Sequence, residues 1–369
     1  MEVVMLSQEV LKDALKRGKL KSETFQEVEY LRFTDDFKDI PRGTVLLKDT
    51  VIWGYPHIGR IFQLSTGIKE QFQTAFWVEE KVDGYNTRVF FHEGNVYALT
   101  RGGYICAFST DRALDFINPE IFQENPDLVL CMEVAGPDNP YLEESPPYVD
   151  EDVRFFLFDI MLKNQQTFLP YREKLRLIEK YNLPSVERFG RFEINQVEEL
   201  KALLRRLNEE KREGVVLKED SPRDKRVKYI TSYANLNDIR ITSMNLLGLP
   251  SDYYTSRLLR LALFVEEEGL HRDEALYRGL GEAFLSGLFE ACKMAREVGK
   301  VSRVFKCRFR RREMALIFFE QIRHASAHIQ VNQISLQKDG NFWVLEFEKV
   351  FLNMTGLLGH VLSGGSVVD

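Results

Sequence analysis

The stretch from Val78 to Arg88 has the sequence VEEKVDGYNTR, and the rest of the chain is organised around it. Lys81 stands among acidic and β-forming residues, and a turn signal, Asp83-Gly84, follows it. The pattern predicts a strand on each side of that turn, with the lysine amine at the lip of the first strand. Alternation with a period of two places Glu79, Lys81 and Asp83 on the same face. A lysine in this position is a candidate nucleophile, with a solvated surface lysine as the alternative.

The composition is that of an ordinary soluble globular chain. It has 369 residues, of which 44% are hydrophobic and 29% charged, a length that allows two to four compact units. The formal net charge of -6 argues against bulk attraction to phosphate. A nucleic-acid site would therefore have to be a local basic patch on an acidic surface.

The cysteine pattern and the start of the chain indicate a reducing compartment. The four cysteines, Cys106, Cys131, Cys292 and Cys307, lack C-x-x-C spacing, which is typical of free thiols rather than of a zinc site or a disulfide framework. The start lacks the pattern of a secretory signal, and no apolar run of about eighteen residues occurs. We therefore expect a cytoplasmic protein with no membrane partner. The histidines show no ligand spacing, so we expect no zinc site.

The N-terminal region predicts a small unit of its own. Residues 6–18 have helical periodicity, with Ser7 as the N-cap and Gly18 as the stop. From 25 to 62 the pattern changes to short β-type runs broken by Pro and Gly. A β-rich domain over residues 1–64 is the prediction.

Two apolar strands downstream each carry a residue that a core strand does not require. Residues 128–136, LVLCMEVAG, contain the single acid Glu133, whose burial is costly unless it is paired, bound to a metal or hydrogen-bonded to a ligand. The alternative is an acid that points outward from a half-exposed strand. Residues 153–161, VRFFLFDIM, contain Phe158, which is either a core residue or a flat surface for a base.

Charged residues then recur on two further strands. After amphipathic helices at 171–181 and 197–211, the segment Glu213–Lys218 predicts a strand bounded by an acid and a lysine. Next, Arg226 and Lys228 lie two residues apart on one strand face. Like charges in that arrangement repel unless an anion lies between them, and a phosphate is the natural anion.

These segments, in this order, carry a family resemblance. They resemble motifs I, Ia, III, IIIa, IV and V of the covalent nucleotidyltransferases, which include ATP-dependent DNA and RNA ligases and mRNA capping enzymes. In the same order, the segments are KVDG (81–84), RGG (101–103), MEVAG (132–136), FLFDI (156–160), EGVVLK (213–218) and RVKY (226–229). The match covers about residues 75–235. Asn86 stands where DNA ligases and capping enzymes usually have arginine and RNA ligases often have asparagine. With no recognisable oligonucleotide-binding domain, the chain resembles an ATP-dependent RNA ligase of the archaeal-type, homodimeric group.

The resemblance implies an α+β fold. It places a nucleotidyltransferase catalytic domain of the ATP-grasp-like ligase type, with antiparallel sheets and flanking helices, at residues 65–235. The region 236–312 would be helical and is a candidate dimerisation domain. Residues 313–369 would form a C-terminal domain with a β-hairpin. The C-terminal region as a whole would be mostly helical.

The resemblance also implies a reaction that joins an RNA 5′-phosphate to a 3′-hydroxyl, with circularisation as one outcome. AMP from ATP would be carried covalently on Lys81, with Mg²⁺ or Mn²⁺ as the metal. Lys228 and Arg226 would act as catalytic cations that, together with magnesium, lower the pKa of Lys81 and stabilise the α-phosphate. Arg226 replaces the usual first lysine of motif V, and Lys225 is the other candidate for that cation. The substrates would be single-stranded or nicked RNA ends.

The remaining roles follow from the same motifs. Phe158 would stack on adenine, and Glu79 or the backbone of Glu80 would contact the adenine amino group. Glu133 and Arg101 would hold the ribose near Asn86. Glu213 would hold the metal, and Lys218 would complete the nucleotide-binding set. The competing hypotheses are a DNA ligase, a GTP-dependent capping-type enzyme, and a catalytically inactive scaffold that binds RNA or nucleotide. Asn86 argues against the first two, and the retention of Lys81, Glu133, Glu213 and Lys228 argues against the third.

The C-terminal third lies outside the motifs. Helices are predicted at 252–268 and 273–298. A basic run follows, with six basic residues between Arg303 and Arg312, for which RNA contact, solvated helix charge and a dimer contact all stay open. Residues 334–351 alternate around Asp339-Gly340, which predicts a hairpin.

Overall fold

The computed structural model describes residues 6–367; residues 1–5 of the predicted N-terminal domain and 368–369 of the predicted C-terminal domain lie outside it. The helices are α1 Gln8–Lys16, α2 Leu64–Gln71, α3 Ala107–Arg112, α4 Glu120–Glu124, α5 Tyr171–Tyr181, α6 Val197–Glu209, α7 Ser232–Thr242, α8 Ser251–Glu268, α9 Glu274–Glu297, α10 Arg312–Arg323 and α11 Leu352–Leu362, with 3₁₀ turns at Ala113–Asp115 and Ser243–Gly248. The strands are β1 Leu20–Phe25, β2 Val28–Phe33, β3 Val45–Leu47, β4 Thr50–Ile52, β5 Gly59–Arg60, β6 Phe76–Lys81, β7 Tyr85–His92, β8 Asn95–Thr100, β9 Leu128–Ala135, β10 Arg154–Leu162, β11 Gln165–Phe168, β12 Arg188–Phe192, β13 Gly214–Glu219, β14 Arg226–Ile230, β15 Ser302–Phe309, β16 Ile329–Asp339 and β17 Phe342–Phe351.

The N-terminal region begins as its sequence predicts. The Ser7 hydroxyl accepts a hydrogen bond from the Val10 N–H at 3.3 Å and caps α1, and Gly18 follows the helix with a φ of 65°. Strands β1 to β4 then form a four-stranded sheet in chain order. Its buried residues, such as Phe33, belong to the same hydrophobic cluster as Phe90 of β7. This sheet therefore shares its core with the centre of the molecule.

Two five-stranded sheets form the centre. Sheet A has the order β11-β10-β9-β7-β8, and sheet B has the order β12-β6-β13-β14-β5. The predicted strands on either side of Asp83-Gly84 exist, but β6 belongs to sheet B and β7 to sheet A. A Cβ on Gly84 would come within 2.5 Å of the Val134 carbonyl oxygen, so the crossing requires glycine. The candidate nucleophile thus lies where the chain passes from one sheet to the other.

The register of sheet B places the predicted site residues in rows. Val216 of β13 is the partner of both Glu79 of β6 and Lys228 of β14. The short strand β5 adds to β14 in parallel, with Arg60 opposite Lys228. Directly paired residues share a sheet face, so all four side chains project to the same side. The opposite face packs against α2 and α6 over a separate apolar cluster that includes Ile68 and Leu200.

The C-terminal region has helices α7 to α9 followed by a three-stranded sheet of order β15-β17-β16, with α10 and α11. The predicted helices and the hairpin are confirmed: Asp339 pairs with Phe342, and Gly340 in the turn has a φ of 56°. The hairpin begins at Ile329, earlier than predicted. Within residues 6–367, no helix combines the length and the apolar character needed to cross a membrane.

The basic run between Arg303 and Arg312 lies mostly on strand β15 and the turn after it, so the interpretation as helix charge is wrong. Four of its arginines form ion pairs within the chain, to acids that precede it by more than a hundred residues. These pairs are Arg303–Glu143, Arg308–Asp138, Arg310–Asp115 and Arg311–Asp111. Most of the positive charge of this run is therefore neutralised by the centre of the molecule.

Candidate active site

A cavity of about 480 Å³ lies between sheets A and B. The predicted site residues that line it are Glu79, Glu80, Lys81, Asn86, Arg101, Glu133, Phe158, Lys218 and Lys228. Glu213 reaches this group through its contact with Lys81, and Arg226 does not line the cavity. Motifs scattered over about 150 residues of sequence are thus brought to one place by the two sheets.

Lys81 ends strand β6 and forms an ion pair with Glu213. Its Nζ donates to Glu213 Oε2 at 2.5 Å. Burial opposes the charge on Lys81, but the carboxylates of Glu213 and Glu133 outweigh it and raise the pKa of the amine. Acids therefore dominate the surroundings of Lys81 among the described residues, and the expected lowering of this pKa by Lys228 and Arg226 together with magnesium stays a prediction for the enzyme with bound nucleotide.

The two acids next to Lys81 are themselves perturbed. Burial raises the pKa of Glu133 to about 7 and that of Glu213 to about 8, against the opposing positive charge of Lys81. Asp83 adds to the raising in both. Both carboxyl groups therefore hold a proton more readily than an exposed glutamate does.

Positive charge is concentrated around Lys228. Burial, together with the charges of Lys81, Arg60 and Arg101, lowers the pKa of Lys228 to about 8. Among the described residues, Arg101 has His57 as its one side-chain hydrogen-bond partner, with its Nη2 3.1 Å from His57 Nδ1. Such a concentration of cations favours an anionic ligand.

The loop that carries Arg101 is held by arginines of neighbouring strands. Arg88 of β7 is fully buried, and its guanidinium donates to the carbonyl oxygens of Trp53, Gly43 and Thr100. A Cβ on Gly43 would come within 2.1 Å of the Arg101 carbonyl oxygen. The N-terminal sheet and the loop at 101–103 are therefore in direct backbone contact.

Phe158 enters the cavity from a β-bulge in sheet A. Leu157 pairs with Met132 and Asp159 with Cys131, so Phe158 is the extra residue between them. Its ring meets Tyr55 edge to face, with the centroids 5.2 Å apart. A bulge redirects a side chain, and here it turns an aromatic face toward the cavity instead of into the core of the sheet.

A buried network of charged side chains binds the backbone of this bulge. Lys174 of α5 donates to Glu79 Oε1 at 2.5 Å and to the Phe158 carbonyl oxygen at 2.9 Å. Lys218 donates to Glu79 Oε2 at 2.6 Å, to the same carbonyl at 2.7 Å and to Asp159 at 2.9 Å. Both oxygens of Glu79 are thus bound by lysines. Glu79 and Lys218 therefore hold the backbone of the cavity wall in place at Phe158.

Glu80 and Arg226 are also engaged elsewhere. The Glu80 carboxylate accepts hydrogen bonds from Tyr148 and Arg212, and the backbone N–H of Glu80 donates to the Glu187 carbonyl oxygen at 2.9 Å. Arg226 donates to Asp159 at 2.5 Å and to Asp224 at 2.7 Å, and its guanidinium lies 3.5 Å from the centre of the Phe168 ring. Lys225 does not line the cavity either, so Lys228 is the motif V cation that faces it.

Asn86 presents a free acceptor. It pairs with Glu133 across β7 and β9, and its Oδ1 is buried with no hydrogen-bond partner within the described part of the chain. A buried polar atom without a partner is costly, so this oxygen is suited to a ligand that donates to it.

Lys174 was not predicted, although its spacing contains a signal. Lys174, Ile178 and Tyr181 recur at positions i, i+4 and i+7 and are all buried, so the lysine belongs to the inner face of α5. Arg60 and Tyr55 were also missed. Their segment has no pattern that marks them, because their neighbours come from strands far along the chain.

Comparison with known proteins decides the family. The sequence model described as RNA ligase matches residues 74–230, and the one described as Ligase Pab1020 C-terminal region matches 241–365. An uncharacterized protein of Methanocaldococcus jannaschii is 33% identical over 342 residues, which cover 90% of this chain and 87% of that protein. The chain belongs to the RNA ligase family.

Solved structures of similar proteins agree with this assignment. A chain from Aquifex aeolicus, provisionally described as an ATP-dependent DNA ligase, has a TM-score of 0.96 and 59% identity, covering 98% of this chain and 100% of its own. A structure described as an archaeal ATP-dependent RNA ligase has a TM-score of 0.90 and 30% identity, covering 98% and 97%. The expected α+β nucleotidyltransferase fold is confirmed, and so is the expected enzyme class, an ATP-dependent ligase of the nucleotidyltransferase superfamily.

Proposed function

We propose that this member of the RNA ligase family joins RNA 5′-phosphate and 3′-hydroxyl ends through AMP carried on Lys81, including the two ends of one molecule. The observation that carries this is the position of Lys81, which ends a strand at the rim of a cavity that has an aromatic face at Phe158 and a cation at Lys228. A volume of about 480 Å³ is within the range of small-molecule sites.

ATP would be bound by both sheets. Phe158 offers the adenine a ring to stack on, while Asn86 Oδ1 and the Glu133 carboxyl can accept hydrogen bonds from the ribose hydroxyls. Lys228 is a cation without a carboxylate partner among the described residues, and we assign it to the phosphates. Arg101, whose charge acts on Glu133, would hold the ribose together with that residue. Glu79 and Lys218 would act by fixing the Phe158 backbone.

Glu213 fits a magnesium or manganese ion, since carboxylate oxygen is a ligand that these ions prefer and Glu213 lies beside Lys81, where the phosphates would meet the amine. Magnesium keeps part of its hydration shell, so a single carboxylate such as that of Glu213 could hold it through water. When bound, such an ion would supply positive charge at the phosphates.

The first step requires Lys81 to lose a proton. Glu213, 2.5 Å away, is the base in contact with the amine. The free amine then attacks the α-phosphorus, a nitrogen–phosphorus bond forms, and the bond to pyrophosphate breaks. An oxygen of the RNA 5′-phosphate next displaces Lys81 from the AMP. Finally the 3′-hydroxyl attacks the activated 5′-phosphate, and AMP leaves.

DNA is the second candidate substrate, because the relative from Aquifex aeolicus carries that description. The match to the RNA ligase family and Asn86 at the motif I position favour RNA. Sealing assays with nicked RNA, single-stranded RNA and nicked DNA, at equal concentrations, distinguish the two.

The decisive experiment measures covalent labelling of purified protein by α-labelled ATP, with α-labelled GTP in parallel, in the presence of magnesium. We expect label from ATP that is lost in Lys81→Ala and retained in Lys69→Ala, a matched change at an exposed lysine of α2. Glu133→Ala should fold and label weakly. Label from GTP would indicate a capping-type enzyme, and absence of any label in folded wild type would refute the proposal in favour of a scaffold.

We also propose that the helical region pairs two copies of the chain. Leu285 and Phe289 lie one helical turn apart on α9 and are 49% and 66% exposed, which is unusual for large apolar residues. Sedimentation should show a homodimer that Phe289→Glu weakens. A cytoplasmic location stays a prediction, which the unpaired cysteines Cys106, Cys131, Cys292 and Cys307 support.

A further inference from the structure

Arg60 lies at the outer end of the row that leads from Glu79 through Val216 to Lys228. Strand β5, which contributes it, consists of two residues and adds to β14 in parallel. Because Arg60 is the direct partner of Lys228, the two side chains project from the same face of sheet B. Arg60 lies outside the cavity lining, beyond Lys228.

Within the part of the chain that the structure describes, the guanidinium of Arg60 has no hydrogen-bond or ion-pair partner. It is partly buried, and no acceptor among residues 6–367 binds it. Burial, with the positive charge of Arg257, lowers its pKa against the attraction of Glu213 and Asp238. Those two acids are engaged, Glu213 with Lys81 at 2.5 Å and Asp238 with Arg257 at 2.6 Å.

Lys228 is in the same condition, since it also has no acceptor within the described residues and its pKa is lowered in part by Arg60. Two adjacent cations that repel each other, and that form no ion pair among the described residues, are unfavourable for the sheet, although Glu213 attracts both. An anion that bridges them would remove this repulsion. A phosphate accepts from the planar fork of an arginine and from an ammonium group at the same time.

We propose that Arg60 and Lys228 form a phosphate-binding subsite at the mouth of the cavity, for a phosphate other than the one that becomes bonded to Lys81. This inference rests on the proposed function. Two sources supply such a phosphate, the pyrophosphate portion of ATP and the 5′-phosphate of RNA. Both need the same chemistry, a bidentate donor next to a point charge.

The test uses Arg60→Ala, Arg60→Gln and Arg60→Lys in the full chain, with Arg17→Ala as the control. Arg17 forms an exposed ion pair with Asp13 on α1 and serves to show the effect of a lost surface arginine. Three reactions are timed: lysyl-AMP formation against ATP concentration, reversal of lysyl-AMP by pyrophosphate, and transfer of AMP from labelled enzyme to RNA with a 5′-phosphate. Melting curves identify folded variants, and Arg60→Gln preserves most of the side-chain volume if Arg60→Ala unfolds.

Loss of a charge-assisted hydrogen bond should slow the affected reaction about 10- to 100-fold in Arg60→Ala and Arg60→Gln, and Arg60→Lys should recover part of it. Slow formation and slow reversal with normal transfer would assign the subsite to pyrophosphate. Normal formation with slow transfer would assign it to RNA. Rates within twofold of Arg17→Ala in all three reactions would overturn the inference. Wild type that forms no lysyl-AMP would instead refute the proposed function.

Discussion

Replacing Lys174 with methionine tests whether the buried network supports Phe158. The side chain of Lys174 is 2% exposed and that of Glu79 1%, so the pair is shielded from water. Removing one partner of a buried ion pair costs about 3–5 kcal/mol. Here Lys218 still binds both Glu79 and the Phe158 carbonyl, at 2.6 and 2.7 Å, so the lower end of that range, about 3 kcal/mol, is the expected loss.

Calorimetry measures this loss. In a domain of about 150–250 residues, 1 kcal/mol corresponds to about 2–4 °C, so the transition of Lys174→Met should fall by about 6–12 °C. Lys180→Met is the matched control, because Lys180 lies on the same helix and its ion pair with Glu124 is 57% and 53% exposed. Exposed pairs contribute little, so the control should melt close to wild type.

The same variant has a functional readout. With one of its two lysine donors gone, the Phe158 carbonyl is held less firmly, and the ring becomes a less well-oriented surface for a base. The KM for ATP in lysyl-AMP formation should rise more than kcat falls. A Lys174→Met protein that melts with Lys180→Met and keeps the wild-type KM would refute the reasoning.

Three further outcomes are expected. Glu213→Gln removes the largest carboxylate contribution to the charge on Lys81, so the pKa of Lys81 falls. In protein freed of nucleotide, an amine-directed acylating reagent should therefore label Lys81 several-fold faster at pH 8, as measured by peptide mass spectrometry. Unchanged labelling would contradict the ion pair. Phe158→Leu should weaken ATP binding by about 0.5–1.5 kcal/mol, or about 2- to 10-fold, in titration calorimetry, with little change in melting; full affinity would exclude stacking. Burial raises the pKa of Glu133 from 4.5 to about 7, so between these pH values the folded protein keeps a proton that the unfolded chain has lost, and wild-type stability falls over that range and levels off above it. The free energy of unfolding of Glu133→Gln, measured with denaturant, should therefore rise relative to that of wild type by up to about 3 kcal/mol between pH 5 and 8. A difference that is independent of pH would argue against a buried carboxyl.

Local periodicity predicted most elements, because it depends only on neighbours along the chain. The helix at α5, the hairpin of β16 and β17 and the strands around Asp83-Gly84 all follow from spacing and turn residues. Their assembly did not follow. The partners of β6 and β7 include β13 and β9, which come much later in the sequence, and no local pattern specifies which of two sheets a strand joins.

The candidate site shows the same division. Motif order predicted that Lys81, Glu133, Phe158 and Lys228 would meet, and they line one cavity. Which cations are free did not follow from sequence. Arg226 was expected beside a phosphate, yet Asp159 binds it. The residue next to Lys228 that has no ion-pair partner in the described part of the chain is Arg60, from a two-residue strand.

The contact between the N-terminal sheet and the loop at 101–103 limits how far the chain can be shortened. The Arg88 guanidinium donates to three carbonyls, and two of them, Trp53 and Gly43, precede residue 65. A truncated fragment that begins at 65 would keep every motif but leave a buried cation with a single acceptor, and it would also lose Tyr55 from the edge of the Phe158 ring. The smallest autonomous catalytic fragment therefore extends well upstream of the conventional motif boundaries, and domain-swap chimaeras should be joined before residue 43.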